Sequence, residues 1–160
     1  AQDDVTVGGF TVNAQDFAMI DNAKGLGLAY SIGKFDGILG LAYQSISVDN
    51  LTTVFHNAVD QKAVSAPVFG FALSTTSGTD GELTFGGTDP NHYTGDLTYV
   101  DLTSDTYWET KLDGLKLGGT SMTTTTKEAA LHLQYIPFGR VVAHLRESDG
   151  PRVSTIGERA

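Results

Sequence analysis

FDGILGLAYQSIS, residues 35–47, is mostly apolar and is cut by Gly37 and Gly40. Its first part, FDGILGLAY (35–43), is too short for a typical helix and too Gly-rich for a plain strand, so its surroundings decide the class. Upstream, Val5-Thr-Val7, Gly8-Gly9 and Phe10-Thr-Val12 predict a tight hairpin, because paired Gly supplies the positive φ a two-residue turn needs. Phe17–Ile20 continues the strand character, and residues 21–34, with Gly25, Gly27 and Gly33, predict a loop or irregular strand.

Downstream, NLTTVFHNAVDQKAV (50–64) is the one clear helix pattern. Leu51, Val54, Phe55, Ala58 and Val59 share a face at i, i+3, i+4 spacing. Asn50 is placed to cap it, and Pro67 follows as a stop. The helix is therefore predicted near 51–64. Val68–Leu73 and Glu82–Phe85, separated by the polar turn Ser74–Gly81, predict a hairpin, and Leu97–Leu102 a further strand. Trp108–Leu117 reads as one strand closed by Gly118-Gly119. The class is mainly β with one short helix.

Composition narrows the function. The 160 residues carry a net charge of −9 and no Cys. An acidic chain lacks the basic face of a nucleic-acid binder, and without Cys no disulfide or thiolate metal site can form. No apolar run long enough to span a membrane occurs. The N-terminus has no signal-peptide pattern; it begins as if cut from something longer. Residues 1–126 hold 5 Lys and no Arg against 15 acidic residues, whereas residues 127–160 hold Lys127, Arg140, Arg146, Arg152 and Arg159 against 4 acidic ones. The last segment changes character.

Standard sites are mostly excluded. His56, His92, His132 and His144 show no metal-ligand spacing, so no metal or cofactor is expected. There is no G-x-S-x-G nucleophile elbow. Gly27 to Gly33-Lys34 is one residue too long for a phosphate loop, and Phe35 stands where Ser or Thr must bind magnesium. Asp3-Asp4 predicts an exposed turn or strand start.

Five blocks in order resemble the pepsin-like aspartic protease family: DDVTVGG (3–9), FDGILGLAYQSIS (35–47), TVFHNAVDQKAVSAPVFGFAL (53–73), GELTFGGTDPNHYTGDLTYVDL (81–102) and YWETKLDGLKLGG (107–119). The resemblance covers about residues 1–126. It implies a two-lobed β fold, with 1–90 the remainder of the N-terminal lobe, 91–126 the start of the C-terminal lobe and 127–160 a divergent tail. It implies peptide-bond hydrolysis at acid pH by two Asp that share a proton, one from each lobe in a D-T-G or D-S-G loop. Phe35 and Ile38 would line the apolar pocket before the scissile bond, or else be core residues; Tyr107 would lie on the primed side. Partners would be peptide or protein substrates, and location secreted or vacuolar/lysosomal. Asp36 precedes Gly37-Ile38 rather than Thr-Gly or Ser-Gly, so it is expected as a hydrogen-bonded structural residue.

The departures weigh as much. Neither D-T-G nor D-S-G occurs in the 160 residues. The first loop is expected upstream of Ala1. The second falls, by alignment with the family pattern, near His132 within AALHLQYIPFG (129–139). One His cannot replace a proton-sharing carboxylate pair, so no catalytic residue is assigned and the chain is expected to be inactive alone. The alternative is a non-catalytic pseudo-protease or peptide-binding module. A missed intron, frameshift or fusion near Lys127 would explain the change in sequence. Asn50-Leu51-Thr52 is a glycosylation sequon, although Asn50 has a competing role as the predicted cap.

Overall fold

The computed structural model describes residues 1–22, 24, 30, 32–33, 35–74, 78–117, 119–122, 128–130, 144–146 and 152–155. These fall into two compact units, Ala1–Ala63 and Val64–Ala160. The class is as predicted: among the described residues strands dominate, and the α-helix described in full is short, Val54–Asp60.

The first unit opens with the antiparallel hairpin β1 (Gln2–Val7) and β2 (Phe10–Asp16). Gly8 and Gly9 both take positive φ, 56° and 86°, the geometry a two-residue primed turn demands. The register shifts between Asp3 and Val5, where Asn13 and Ala14 of β2 face Asp4. Ala14 takes φ 52° there, and its N–H donates to Asp4 Oδ1 at 2.9 Å. Asp4 thus pins a bulge, which sharpens the strand-start reading of Asp3-Asp4. Strand β2 ends at Asp16, so Phe17–Ile20 does not extend it; Met19 and Ile20 are exposed.

Helix α1 runs Val54–Asp60. It is shorter than the predicted 51–64, and Asn50 is not its cap. Asn50 has a left-handed backbone (φ 54°) at the end of the 3-10 turn Val48–Asn50. The cap is Thr53, whose hydroxyl accepts from His56 N–H. The apolar face was read correctly in its centre: Phe55 and Ala58 are buried, while Leu51 lies outside the helix. At the other end Lys62 N–H donates to Val59 O and Ala63 N–H to Ala58 O, with Lys62 at φ 56°. That is a Schellman closure, with Lys where Gly is usual.

The second unit contains a five-stranded antiparallel sheet in the order β4-β3-β10-β11-β5, formed by Val68–Ala72 (β3), Glu82–Phe85 (β4), Thr98–Asp101 (β5), His144–Arg146 (β10) and Arg152–Thr155 (β11). The β3–β4 hairpin and β5 follow the sequence reading. Trp108–Leu117 does not form one strand: it divides into β6 (Glu109–Lys111) and β7 (Leu115–Leu117). Asp113 and Gly114 fall in the break, and both residue types are poor strand formers. Strand β7 turns back through Gly119 (φ 83°) into β8 (Thr120–Met122), and β9 (Glu128–Ala130) pairs with β6. The core centres on Phe69, fully buried, with its ring edge-to-face to Trp108 at 5.6 Å and to Phe71 at 6.0 Å. Such pairs add about 0.5–1.5 kcal/mol each beyond area burial.

Candidate functional site

Phe35 and Ile38 belong to the first unit and Tyr107 to the second. Phe35 is half-buried, its ring edge-to-face to Tyr30 at 5.6 Å. Gly37 and Gly40 deny the segment regular structure, and no strand or helix covers Phe35–Tyr43. Ile38 is 62% exposed, so it is not a core residue. Leu39 beside it is also exposed. Asp36, expected in a hydrogen-bonded role, is exposed.

A polar clamp that the sequence did not suggest ties β2 to α1. Gln15 on β2 is 2% exposed. Its Nε2 donates to Asp16 O at 2.8 Å and Thr52 O at 2.9 Å, and its Oε1 accepts from Asn57 Nδ2 at 2.8 Å. Gln61 adds a second tie: its Oε1 accepts from Asn13 N and its Nε2 donates to Asn13 O, both at 2.9 Å. The hairpin, the 51–53 link and α1 are thereby held to one another by satisfied side-chain amides.

Tyr107 sits in the turn between β5 and β6. Its carbonyl accepts from Glu109 N–H at 2.8 Å, a three-residue turn. Thr103 closes the base, donating from its N–H to Glu109 O and from its hydroxyl to Glu109 Oε1. Next in sequence, Trp108 is buried against Phe69, while Tyr107 is half exposed. Alternation across the turn sends one aromatic inward and the other to solvent.

Asn50 is exposed, and its backbone carbonyl accepts from Gln44 Nε2 at 3.0 Å. His132 and most of residues 21–34, including Gly25, Gly27 and Lys34, lie outside the described residues; of the described ones, Tyr30 and Ile32 are helical, where a loop or irregular strand was expected. Among the described residues one set of metal-ligand type converges, Glu82, Asp89 and His92; their separation in sequence gave no sign of it.

The sequence profile of the eukaryotic aspartyl protease family matches residues 1–133. The chain belongs to that family. It is 50% identical over 122 residues to cathepsin D of Dictyostelium discoideum, covering 76% of this chain and 31% of that protein. It is 45% identical over 120 residues to vacuolar protease A of Aspergillus fumigatus, covering 74% and 30%. Against aspartic proteinase oryzasin-1 of Oryza sativa subsp. japonica it is 43% identical over 121 residues, covering 74% and 23%. The chain thus spans less than a third of the length of these curated relatives. All four residues under discussion, Phe35, Ile38, Asn50 and Tyr107, fall inside the aspartyl protease match, and residues 134–160 fall outside it.

Proposed function

We propose that this chain is the substrate-side portion of a pepsin-like aspartic endopeptidase, which hydrolyses peptide bonds in peptide or protein substrates at acid pH. The family match over residues 1–133 carries the reading. Hydrolysis of this type needs two carboxylates sharing one proton, so that one accepts a proton from the attacking water while the other donates. These 160 residues contain no D-T-G or D-S-G loop, so on this reading they contribute substrate contacts and not the catalytic pair.

Those contacts fall to Phe35, Ile38 and Tyr107. The exposure of Ile38 and Tyr107 supports the assignment, because exposed apolar and aromatic side chains are what a peptide-binding surface offers. In this reading residues 1–90 complete the N-terminal lobe, 91–126 begin the C-terminal lobe and 127–160 diverge. Similarity to vacuolar protease A supports a vacuolar or comparable lysosomal setting, with secretion the family's other route. In such a pathway Asn50, exposed and followed by Leu51-Thr52, carries an N-linked glycan. A mass decrease on peptide N-glycosidase treatment, abolished in Asn50→Gln, checks that point.

The main test is a peptide hydrolysis assay at acid pH, with and without a statin-type inhibitor. The 160-residue chain should give no statin-sensitive cleavage, and statin-sensitive turnover by this chain alone would overturn the catalytic part of the proposal. A second reading is a peptide-binding module that does not cleave, favoured by AALHLQYIPFG (129–139) standing where the second loop is expected. A longer protein containing this chain that binds apolar peptides yet never hydrolyses them would establish it.

A further inference from the structure

Glu82 opens β4, and the chain turns at Gly86 into a 3-10 turn, Pro90–His92, capped by Asp89. The return is fixed tightly. Gly86 has φ 77°, and a Cβ there would lie 2.8 Å from Ser65 Oγ, whose hydroxyl donates to Gly86 O. The result brings three residues separated in sequence to one point: one donor atom from each of Glu82, Asp89 and His92 lies within 4.8 Å of the others.

His92 Nε2 is the centre of the group. It lies 3.2 Å from Glu82 Oε2 and 3.6 Å from Asp89 Oδ2. The atom is buried, yet it has no hydrogen-bond partner. A charge-assisted N–H···O contact closes to about 2.7–2.9 Å, so both separations are long for one. They do suit ligands around a metal: bonds of about 2.0–2.1 Å in a tetrahedron put neighbouring ligand atoms roughly 3.3 Å apart.

The carboxylates are also oriented for this. Thr84 donates to Glu82 Oε1 at 2.8 Å. Asn91 donates to Asp89 Oδ1 from its backbone at 2.8 Å and its side chain at 2.7 Å. In each carboxylate one oxygen is held by neighbours and the other faces Nε2, the pattern by which outer partners aim metal ligands. We propose that Glu82, Asp89 and His92 form a binding site for a divalent transition metal ion, with zinc the best fit. An imidazole nitrogen with two carboxylate oxygens selects against the all-oxygen cages of calcium and magnesium. Two carboxylates and a neutral imidazole balance a 2+ ion. The side chains are 26–44% exposed, which leaves water access to the fourth position. The site joins β4 to the turn that follows it, so a bound ion would tie the two together.

The test uses the whole chain, stripped with chelator and titrated near neutral pH with zinc chloride by calorimetry, with imidazole nitrogens followed by NMR. One zinc should bind per chain, and the His92 Nε2 resonance should move with it. Glu82→Gln and His92→Ala should each weaken binding at least about tenfold, and Thr84→Val, which releases Glu82 Oε1, by about tenfold with unchanged circular dichroism. Magnesium in place of zinc should give no ring shift. If His92→Ala fails to fold, the near-isosteric Glu82→Gln decides alone. The proposal is overturned if zinc in large excess leaves the His92 ring signals unmoved, which leaves an ion pair without a metal. It is equally overturned if Glu82→Gln binds zinc as the parent does, which places the ion elsewhere.

Discussion

Lys62 carries a conformation that its side chain does not favour. At φ 56° it closes helix α1, and for an L-residue with a Cβ the left-handed region costs about 1 kcal/mol. Lys62 is exposed, so nothing in packing offsets this. Lys62→Gly should raise the unfolding free energy by about 0.5–1 kcal/mol, read from the urea midpoint; a lower midpoint would show that Lys62 is held by something other than backbone geometry. Gln15 is the opposite case, a polar residue retained in a buried place because every polar atom of its amide is used. Gln15→Leu keeps much of the volume but leaves Asn57 Nδ2 and two carbonyls without partners. The loss should be about 2–3 kcal/mol, well beyond a surface change, and an unaltered midpoint would remove the clamp from the account of this unit.

At the scale of elements, helix α1 separates two cap candidates three residues apart. Thr53→Ala should cost about 1 kcal/mol, whereas Asn50→Gly, which suits the left-handed backbone there, should cost no more than a few tenths, because Thr53 and not Asn50 meets the first turn. Equal losses in the two variants would restore Asn50 as a cap. The sequence pointed to Asn50 because cap preference depends on side-chain type, and it does not record backbone angle. Where local chemistry is decisive the reading was accurate: Gly8-Gly9 dictated the first hairpin, and Glu82–Phe85 was placed to the residue. It overran at Trp108–Leu117, where alternation continues through Asp113-Gly114 although neither residue supports a strand. Gln15 was invisible because a polar residue on a two-stranded ribbon gives no burial signal until its partners at Thr52 and Asn57 are folded against it. The same reason hid Glu82, Asp89 and His92: a reversal at Gly86 brings them together, and linear spacing records no reversal. Phe35, Ile38 and Tyr107 became candidates through resemblance to a family, since isolated aromatic and aliphatic residues carry no chemistry of their own in a linear pattern.

For the whole molecule the balance between buried and exposed apolar side chains sets solution behaviour. Among the described residues the buried apolar set is Val12, Tyr43, Phe55 and Ala58 in the first unit and Val68, Phe69 and Trp108 in the second. Against these, Met19, Ile20, Ile32, Ile38 and Val48 are each more than 60% exposed. Burying a large aliphatic side chain contributes about 1.5–3 kcal/mol, so leaving several in water forfeits stability on the scale of a whole domain's margin of about 5–15 kcal/mol. Thermal unfolding of the chain should therefore be low or broad, and a sharp, high transition by calorimetry would contradict it. The same exposed residues couple to charge. With a net charge of −9 at neutral pH, self-repulsion keeps chains apart despite their apolar surface. As pH falls toward the sequence pI of about 4.6, carboxylates take up protons, the net charge approaches zero, and association is no longer opposed. Light scattering followed from neutral pH downward should rise to a maximum near that pI and fall again below it, where the chain becomes cationic. Added salt should raise scattering at neutral pH by screening the repulsion. Ile38→Lys, which removes one exposed apolar side chain, should lower the maximum. A scattering profile flat across the pI would mean that these apolar residues are covered in solution, and the case for Ile38 as an accessible contact for substrate would fall with it.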